Sequence, residues 1–243
     1  AKLLATYRLQ LNSGFTFADA ARITHYLRGL GISHLYVSPI LTAVPGSDHG
    51  YDVCDPTSIS PDLGGAEGLQ ELFKILRESG QGCVIDLVPN HLAASHDNPW
   101  WWDVLKKGQA SAHASKFDIE WRPANPAHHG KILLPLLGAH PGELLERGEL
   151  DMGRTPDGEW ELTYGEFRFP VNAEGKAMLD KGEADPGAVL DRQFYRLCHF
   201  KLASEEINYR RFFMVQELAA VRMEDPDVRD ATHAKILEAV ADG

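Results

Sequence analysis

Apolar positions along the first part of the chain alternate between two periods. Leu3 to Leu11 reads as a strand with Tyr7, Leu9 and Leu11 on one face. Phe15 to Gly31 then reads as a helix: Thr16 can cap it, Asp19 sits in its first turn, and Phe17, Ala20, Ala21, Thr24, Leu27 and Leu30 recur at helical spacing. His34-Leu35-Tyr36-Val37 is short and mostly apolar, as a strand covered on both faces should be. A polar loop occupies Ser38 to Gly65, too long to be a simple connector and therefore a candidate for function. Gly65 to Ser79 is a second helix, with Leu69, Leu72, Phe73 and Leu76 on its apolar face and Gly80 as its stop. Cys83 to Val88 is a third strand. This β-α-β-α-β order predicts parallel strands with right-handed crossovers, in either an open sheet or a closed barrel. Both place functional groups at the carboxyl ends of the strands, where the polar clusters of this chain fall.

The middle of the chain is less regular. Asn98 can cap a helix that starts at Pro99 and carries Trp100, Trp101 and Trp102. Three consecutive tryptophans on a helix point in different directions, so packing in the core competes with ligand contact as their role. Lys131 to Leu137 is a strand candidate, Pro141 to Arg147 one or two helical turns, and Glu159 to Tyr164 with Glu166 to Phe169 an antiparallel patch. Residues 99–185 read as an insertion, and Glu174 to Pro186 as its exposed exit. Helices are expected over Gly187 to Ser204 and Pro226 to Ala241. The expected organisation is 1–98, 99–185 and 186–243.

Composition narrows the function classes. In 243 residues, 24 Lys and Arg stand against 35 Asp and Glu, a net charge of −11 that argues against a nucleic-acid backbone as partner. No apolar run approaches the roughly 20 residues of a membrane span. Cys54, Cys83 and Cys198 are odd in number and form no C-x-x-C pair, which favours a reducing cytoplasm over a disulfide framework. The first residue is Ala rather than Met, so the chain is expected to be trimmed or processed.

Candidate chemistry lies in two loops. One holds His49, Gly50, Tyr51, Asp52 and Asp55; the other holds Asp86, Asn90 and His91. Singly, each has a structural explanation as a turn or surface residue. Together they offer an aromatic face, an imidazole, an amide and carboxylates, the mixture a sugar needs for its CH face and its hydroxyls. His113, His128 and His129 have no Cys or acidic partner at metal-ligand spacing, and Glu205-Glu206 and Arg210-Arg211 read as surface or ion-pairing groups.

Asp86-Leu87-Val88-Pro89-Asn90-His91 resembles the first signature of the α-amylase superfamily, and Gly50-Tyr51-Asp52 its preceding Tyr-Asp element. The maltooligosyl trehalose synthase family is the closer resemblance. It rests on Ala5-Thr6-Tyr7-Arg8-Leu9-Gln10-Leu11, Ser33 to Pro39, Gly46 to Val53, Lys131 to Gly138, Phe167 to Pro170, Ile207 to Phe213 and Glu217 to Arg222. The resemblance implies the N-terminal part of a (β/α)8 barrel, an α/β fold with an α+β subdomain inserted after the third strand. It implies intramolecular transfer that turns the reducing-end α-1,4 bond of a malto-oligosaccharide into the α,α-1,1 bond of trehalose, without a cofactor. It also implies a sugar-stacking Tyr51, a hydroxyl-binding His91, an Asp86 that anchors an Arg beside the nucleophile, and an Asp52 that supports the pocket floor. Asn90 matches a position that helps hold calcium in many amylases, and reads here as a loop-fixing amide; no metal is expected. His49 belongs to the same binding set. The family's nucleophilic Asp and acid/base Glu have no match, so no catalytic carboxylate is expected in this chain. Its expected partner is the remainder of the same polypeptide or a complementary chain. A related hydrolase and a non-catalytic glucan-binding fragment are the alternatives.

Overall fold

The computed structural model describes residues 2–182, 184–204, 206–212 and 215–241. The expectations that fall on Glu205 and Phe213 lie outside them. The chain divides into two compact units, residues 1–93 with 223–243, and residues 94–222. In order, its elements are β1 (Thr6–Leu9), α1 (Phe17–Gly29), β2 (His34–Val37), β3 (Leu41–Ala43), β4 (Val53–Ile59), α2 (Gly65–Ser79), β5 (Gly82–Ile85) and β6 (His91–Ala93) in the first unit. The second holds α3 (Pro99–Lys107), β7 (Ile132–Leu137), α4 (Pro141–Glu146), β8 (Leu150–Arg154), β9 (Trp160–Tyr164), β10 (Phe167–Pro170), α5 (Ala173–Asp180), α6 (Pro186–Asp191), β11 (Tyr195–His199), β12 (Arg211–Phe212) and β13 (Val215–Ala220). The helix α7 (Pro226–Ala241) returns to the first unit.

The first unit is built on a parallel sheet in the order β1-β2-β5. Arg8 stands beside Tyr36, and Tyr36 beside Val84, so three strands run in step toward one carboxyl edge. Helix α1 starts as the sequence predicts: the Thr16 amide donates to Asp19 Oδ2 at 2.8 Å, and the Thr16 hydroxyl donates to the same oxygen at 2.9 Å. Its buried residues are Phe17, Ala20, Thr24 and Leu27; Leu30, placed by periodicity on the same face, is exposed because the helix ends at Gly29. Leu69, Leu72 and Leu76 bury one face of α2, and Gly80 in the left-handed region closes it. Tyr7, grouped by alternation with Leu9 and Leu11, is 46% exposed on a strand at the sheet edge, whereas both leucines are buried.

The polar segment between β2 and α2 is more ordered than a loop. It contains the antiparallel pair β3 and β4, with register shifts on either side of Thr42. Those irregularities break the period-2 pattern that would otherwise reveal a strand.

In the second unit, Asn98 caps α3 by accepting from the amides of Trp100 and Trp101. Trp100 and Trp101 are buried; Trp101 packs edge-on against Phe117, and Trp100 stacks on His113. The antiparallel patch has three strands, β10-β9-β8, one more than the sequence predicts. The exit segment Glu174 to Pro186 is exposed at most of its described residues and carries most of α5, which Asn172 caps. One expectation fails here. The helix expected over Gly187 to Ser204 is a short helix, α6, followed by strand β11, which pairs in parallel with β7. Tyr195 and Leu197 alternate with exposed Arg196, a period-2 pattern that the helical spacing of Phe194, Leu197 and Cys198 concealed. Pairing with β7 decides between the two, because it satisfies the backbone of both strands.

Candidate functional site

The residues singled out around the two loops meet in the first unit, at the carboxyl ends of its parallel strands. Asp86 follows β5, and its amide extends the ladder by donating to Val37 O at 2.9 Å. Its Oδ2 accepts from Arg8 Nη1 at 3.1 Å, from the Tyr51 hydroxyl at 2.7 Å and, more weakly, from the Tyr36 hydroxyl at 3.4 Å. Arg8 Nη2 donates to the Tyr51 oxygen at 2.8 Å, and the Arg8 guanidinium lies 4.5 Å from the Tyr36 ring centroid. Arg8, Tyr51 and Asp86 thus form a closed ring of charge-assisted hydrogen bonds. The hydrogen bond to Asp86 pushes the Tyr51 hydroxyl above its ordinary pKa; burial and the Asp86 charge act in the same direction.

His91 fixes the other end of Tyr51. Its Nε2 lies 3.0 Å from the Tyr51 carbonyl oxygen, and its Nδ1 lies 2.9 Å from Asn90 Oδ1. Burial lowers its pKa and favours the neutral ring, against smaller opposing effects of the Tyr51 carbonyl and Asp52. The ring thus bridges the Tyr51 carbonyl and the Asn90 side chain. The imidazole is buried, and the Asn90 residue is exposed.

His49 and Asp52 complete the loop. His49 Nδ1 accepts from the Tyr51 amide at 3.0 Å, and its ring stacks on Tyr51 at 5.9 Å. Asp52 Oδ1 accepts from the Ser47 hydroxyl at 2.5 Å and lies 3.6 Å from His49 Nδ1. The Gly50 amide donates to Ser47 Oγ at 3.1 Å, and Gln10 Nε2 donates to the carbonyls of Asp48 and His49. Gly50 has a positive φ of 77°, and a Cβ there would stand 3.1 Å from Pro39 O, so this turn requires glycine. His49, Tyr51, Asp52, Asp86, Asn90 and His91 therefore belong to one connected network, whereas Asp55 accepts from Thr57 and Ser58 in its own strand. Sequence reasoning missed Arg8, Tyr36 and Ser47. A single Arg within the short apolar strand Tyr7-Arg8-Leu9 is the signal that could have found the first.

Trp100 and Trp101 take core positions in the second unit, as their competing packing role anticipates. Among the described residues, no group of three or more His, Cys, Asp or Glu is placed to hold a metal ion.

A solved structure of maltooligosyltrehalose synthase from Arthrobacter ramosus is 45% identical to the chain, covering 98% of it and 30% of that chain, with a TM-score of 0.86. A Mycobacterium tuberculosis sequence provisionally named maltooligosyl trehalose synthase is 43% identical over 99% of the chain and 30% of its own length. The chain is similar to maltooligosyl trehalose synthases along almost its whole length. It spans about 30% of the length of these relatives. A family model for the α-amylase catalytic domain matches residues 21–129. The intracellular maltogenic amylase of Bacillus subtilis is 33% identical over 44% of the chain and 18% of that protein. The mixed α/β architecture is thus that of the α-amylase family, and the stretch matched by its model includes Tyr51, Asp86 and His91.

Proposed function

We propose that the Arg8-Tyr51-Asp86-His91 network is the chain's share of a glucan-binding site. The protein it serves converts the reducing-end α-1,4 bond of a malto-oligosaccharide into the α,α-1,1 bond of trehalose. The observation that carries this reading is the hydrogen-bonded ring of Arg8, Tyr51 and Asp86, tied through the Tyr51 carbonyl to His91. It holds an aromatic ring and a row of polar groups rigidly at one strand edge, which is what recognition of a pyranose requires. Tyr51 presents the stacking face, His49 and Asp52 shape the loop around it, and Asn90 holds the His91 ring.

Asp86 also accommodates its expected role. Its described contacts all fall on Oδ2, which leaves Oδ1 to accept an Arg from beside the nucleophile. In a retaining mechanism, one carboxylate attacks the anomeric carbon while a carboxylic acid protonates the leaving oxygen. The released glucose, held away from water, then returns its anomeric hydroxyl to the glycosyl-enzyme. In this proposal those two carboxyl groups come from the rest of the polypeptide or a complementary chain. The first unit opens a (β/α)8 barrel and the second is its insertion after the third strand. Three cysteines that form no disulfide, Cys54, Cys83 and Cys198, support a reducing, cytoplasmic setting.

The test is product analysis with maltopentaose on a polypeptide carrying this sequence at its relatives' full length. Reducing ends should disappear without release of glucose. The similarity to a maltogenic amylase favours hydrolysis as the second reading, and new reducing ends would select it.

A further inference from the structure

Tyr51 is held in the proposed glucan site at three points: its hydroxyl by Arg8 and Asp86, its carbonyl oxygen by His91, and its amide by His49. The third hold depends on a single nitrogen of a ring that keeps 50% of its side-chain surface in solvent.

Two neighbours make opposite demands on His49 Nδ1. It accepts from the Tyr51 amide at 3.0 Å, which requires a bare lone pair and places the proton of the neutral ring on Nε2. It also stands 3.6 Å from Asp52 Oδ1, a carboxylate that favours a proton on the same nitrogen. In the imidazolium both nitrogens carry protons, so Nδ1 stops accepting and its N–H confronts that of Tyr51. The Tyr51 amide has no second acceptor among the described residues. Asp52 Oδ1 already accepts from the Ser47 hydroxyl at 2.5 Å, and Ser47 Oγ accepts from the Gly50 amide at 3.1 Å. Pairing of a protonated ring with Asp52 therefore competes with the bonds that close the turn at Gly50. Among the described residues, Asp52 is the one carboxylate within ion-pair distance of the ring. From the neighbouring elements, Arg8 and Asp86 reach the Tyr51 hydroxyl, His91 meets the Tyr51 carbonyl, and the uncharged Gln10 bonds the His49 carbonyl.

We infer that His49 is a pH-sensitive positioning residue: its neutral ring holds Tyr51 in the orientation that receives the glucan, and protonation releases Tyr51 and weakens binding. The inference rests on the reading of Tyr51 as the stacking face. Loss of one hydrogen bond of this kind corresponds to about three- to tenfold in affinity. Asparagine separates the hydrogen bond from the charge. In an Asx-turn its side-chain oxygen accepts from the amide two residues on, as His49 Nδ1 does here, and it carries no titrating group.

Two measurements test the switch. On the whole chain, 15N–1H spectra recorded over about pH 5–8 should show the Tyr51 amide moving with the same midpoint as the His49 ring carbons, and this movement should be absent from His49→Asn. His91 is present in both proteins, so its own titration cancels. On a polypeptide carrying this sequence at its relatives' full length, kcat/KM for maltopentaose should fall on acidification by about three- to tenfold more in the parent than in His49→Asn, the extra loss lying in KM. At neutral pH, His49→Ala should raise KM by about the same factor, and His49→Asn should recover part of that loss. The proposal is overturned by a Tyr51 amide that does not follow His49, or by equal pH dependence in the parent and His49→Asn. A full-length polypeptide that leaves maltopentaose unchanged overturns the trehalose-forming reading instead, and the Tyr51 amide then decides the switch by itself.

Discussion

Arg8 is the residue whose removal most directly tests the candidate site. It makes two hydrogen bonds, to Asp86 at 3.1 Å and to the Tyr51 oxygen at 2.8 Å, and covers the Tyr36 ring. A hydrogen bond to a charged group contributes about 1.5–3 kcal/mol net, and an exposed cation–π contact about 0.5–1 kcal/mol. The sum is an upper bound, because Arg8 and Asp86 keep 33% and 19% of their side-chain surface in solvent and recover part of the loss as hydration. Asp86 also retains its bond from Tyr51. Arg8→Met is therefore expected to lower unfolding free energy by about 2 kcal/mol, read from the urea midpoint by circular dichroism with an unchanged m-value. Tyr51→Phe should cost about 1 kcal/mol, and the double variant should cost less than the sum, because the two residues share one oxygen. Arg8→Lys should recover only part of the loss, since an ammonium cannot bond Asp86 and Tyr51 with a planar fork. A change below about 0.5 kcal/mol for Arg8→Met, or strict additivity with Tyr51→Phe, would refute the idea that these groups act as one unit.

Three further outcomes follow from single features. His91 is buried with a lowered pKa, so its folded state resists protonation; its stabilising contribution is present above pH about 6.5 and is lost as pH falls below that. Urea midpoints at neutral and mildly acid pH should therefore fall further for the parent chain than for His91→Gln; His113, also lowered by burial, acts in both and cancels. Gly175→Ala reverses the ordinary helix preference: a Cβ there would stand 2.6 Å from Gln193 Nε2, the group that donates to Val189 O, so thermal denaturation should show a loss of about 1–3 kcal/mol where Ala normally gains. Asn98→Ala removes the cap on Trp100 and Trp101 and should cost about 1–2 kcal/mol by the same measurement; no change would mean that α3 is held by its tryptophans alone.

Local chemistry was legible where one rule acted alone. Thr16 with Asp19, Gly80 after Ser79, and Asn98 before Pro99 each mark a helix end through short-range hydrogen bonding, and each is found in place. Legibility failed where a distant partner decided the outcome. Tyr195 to His199 satisfies a helical and an extended pattern at once, and β7, some sixty residues earlier, selects the strand. The short pair β3 and β4 was hidden for a related reason: its register shifts and Pro56 disturb the alternation by which a strand is recognised. In the candidate site, the loop residues were visible because Tyr, His, Asn and Asp cluster in two short runs. Arg8 was not, since nothing within four residues of it explains a charge in a strand; its partners lie 43 and 78 residues away.

That separation bears on how the site is made. Arg8 comes from β1, Tyr36 from β2, Asp86 from the end of β5 and Tyr51 from the loop between β2 and α2, so the ring closes only when all three parallel strands are in register. A slip of one residue in β1 would turn Arg8 to the opposite face and leave Asp86 without its cation. The same ion pair that orders the proposed glucan site therefore also specifies strand register. Its asymmetry is useful: three donors crowd Oδ2 of Asp86 while Oδ1 stays open on the described side. A carboxylate held by one oxygen keeps its orientation when a further cation arrives at the other, so the first unit can fix Asp86 before any neighbouring Arg uses it.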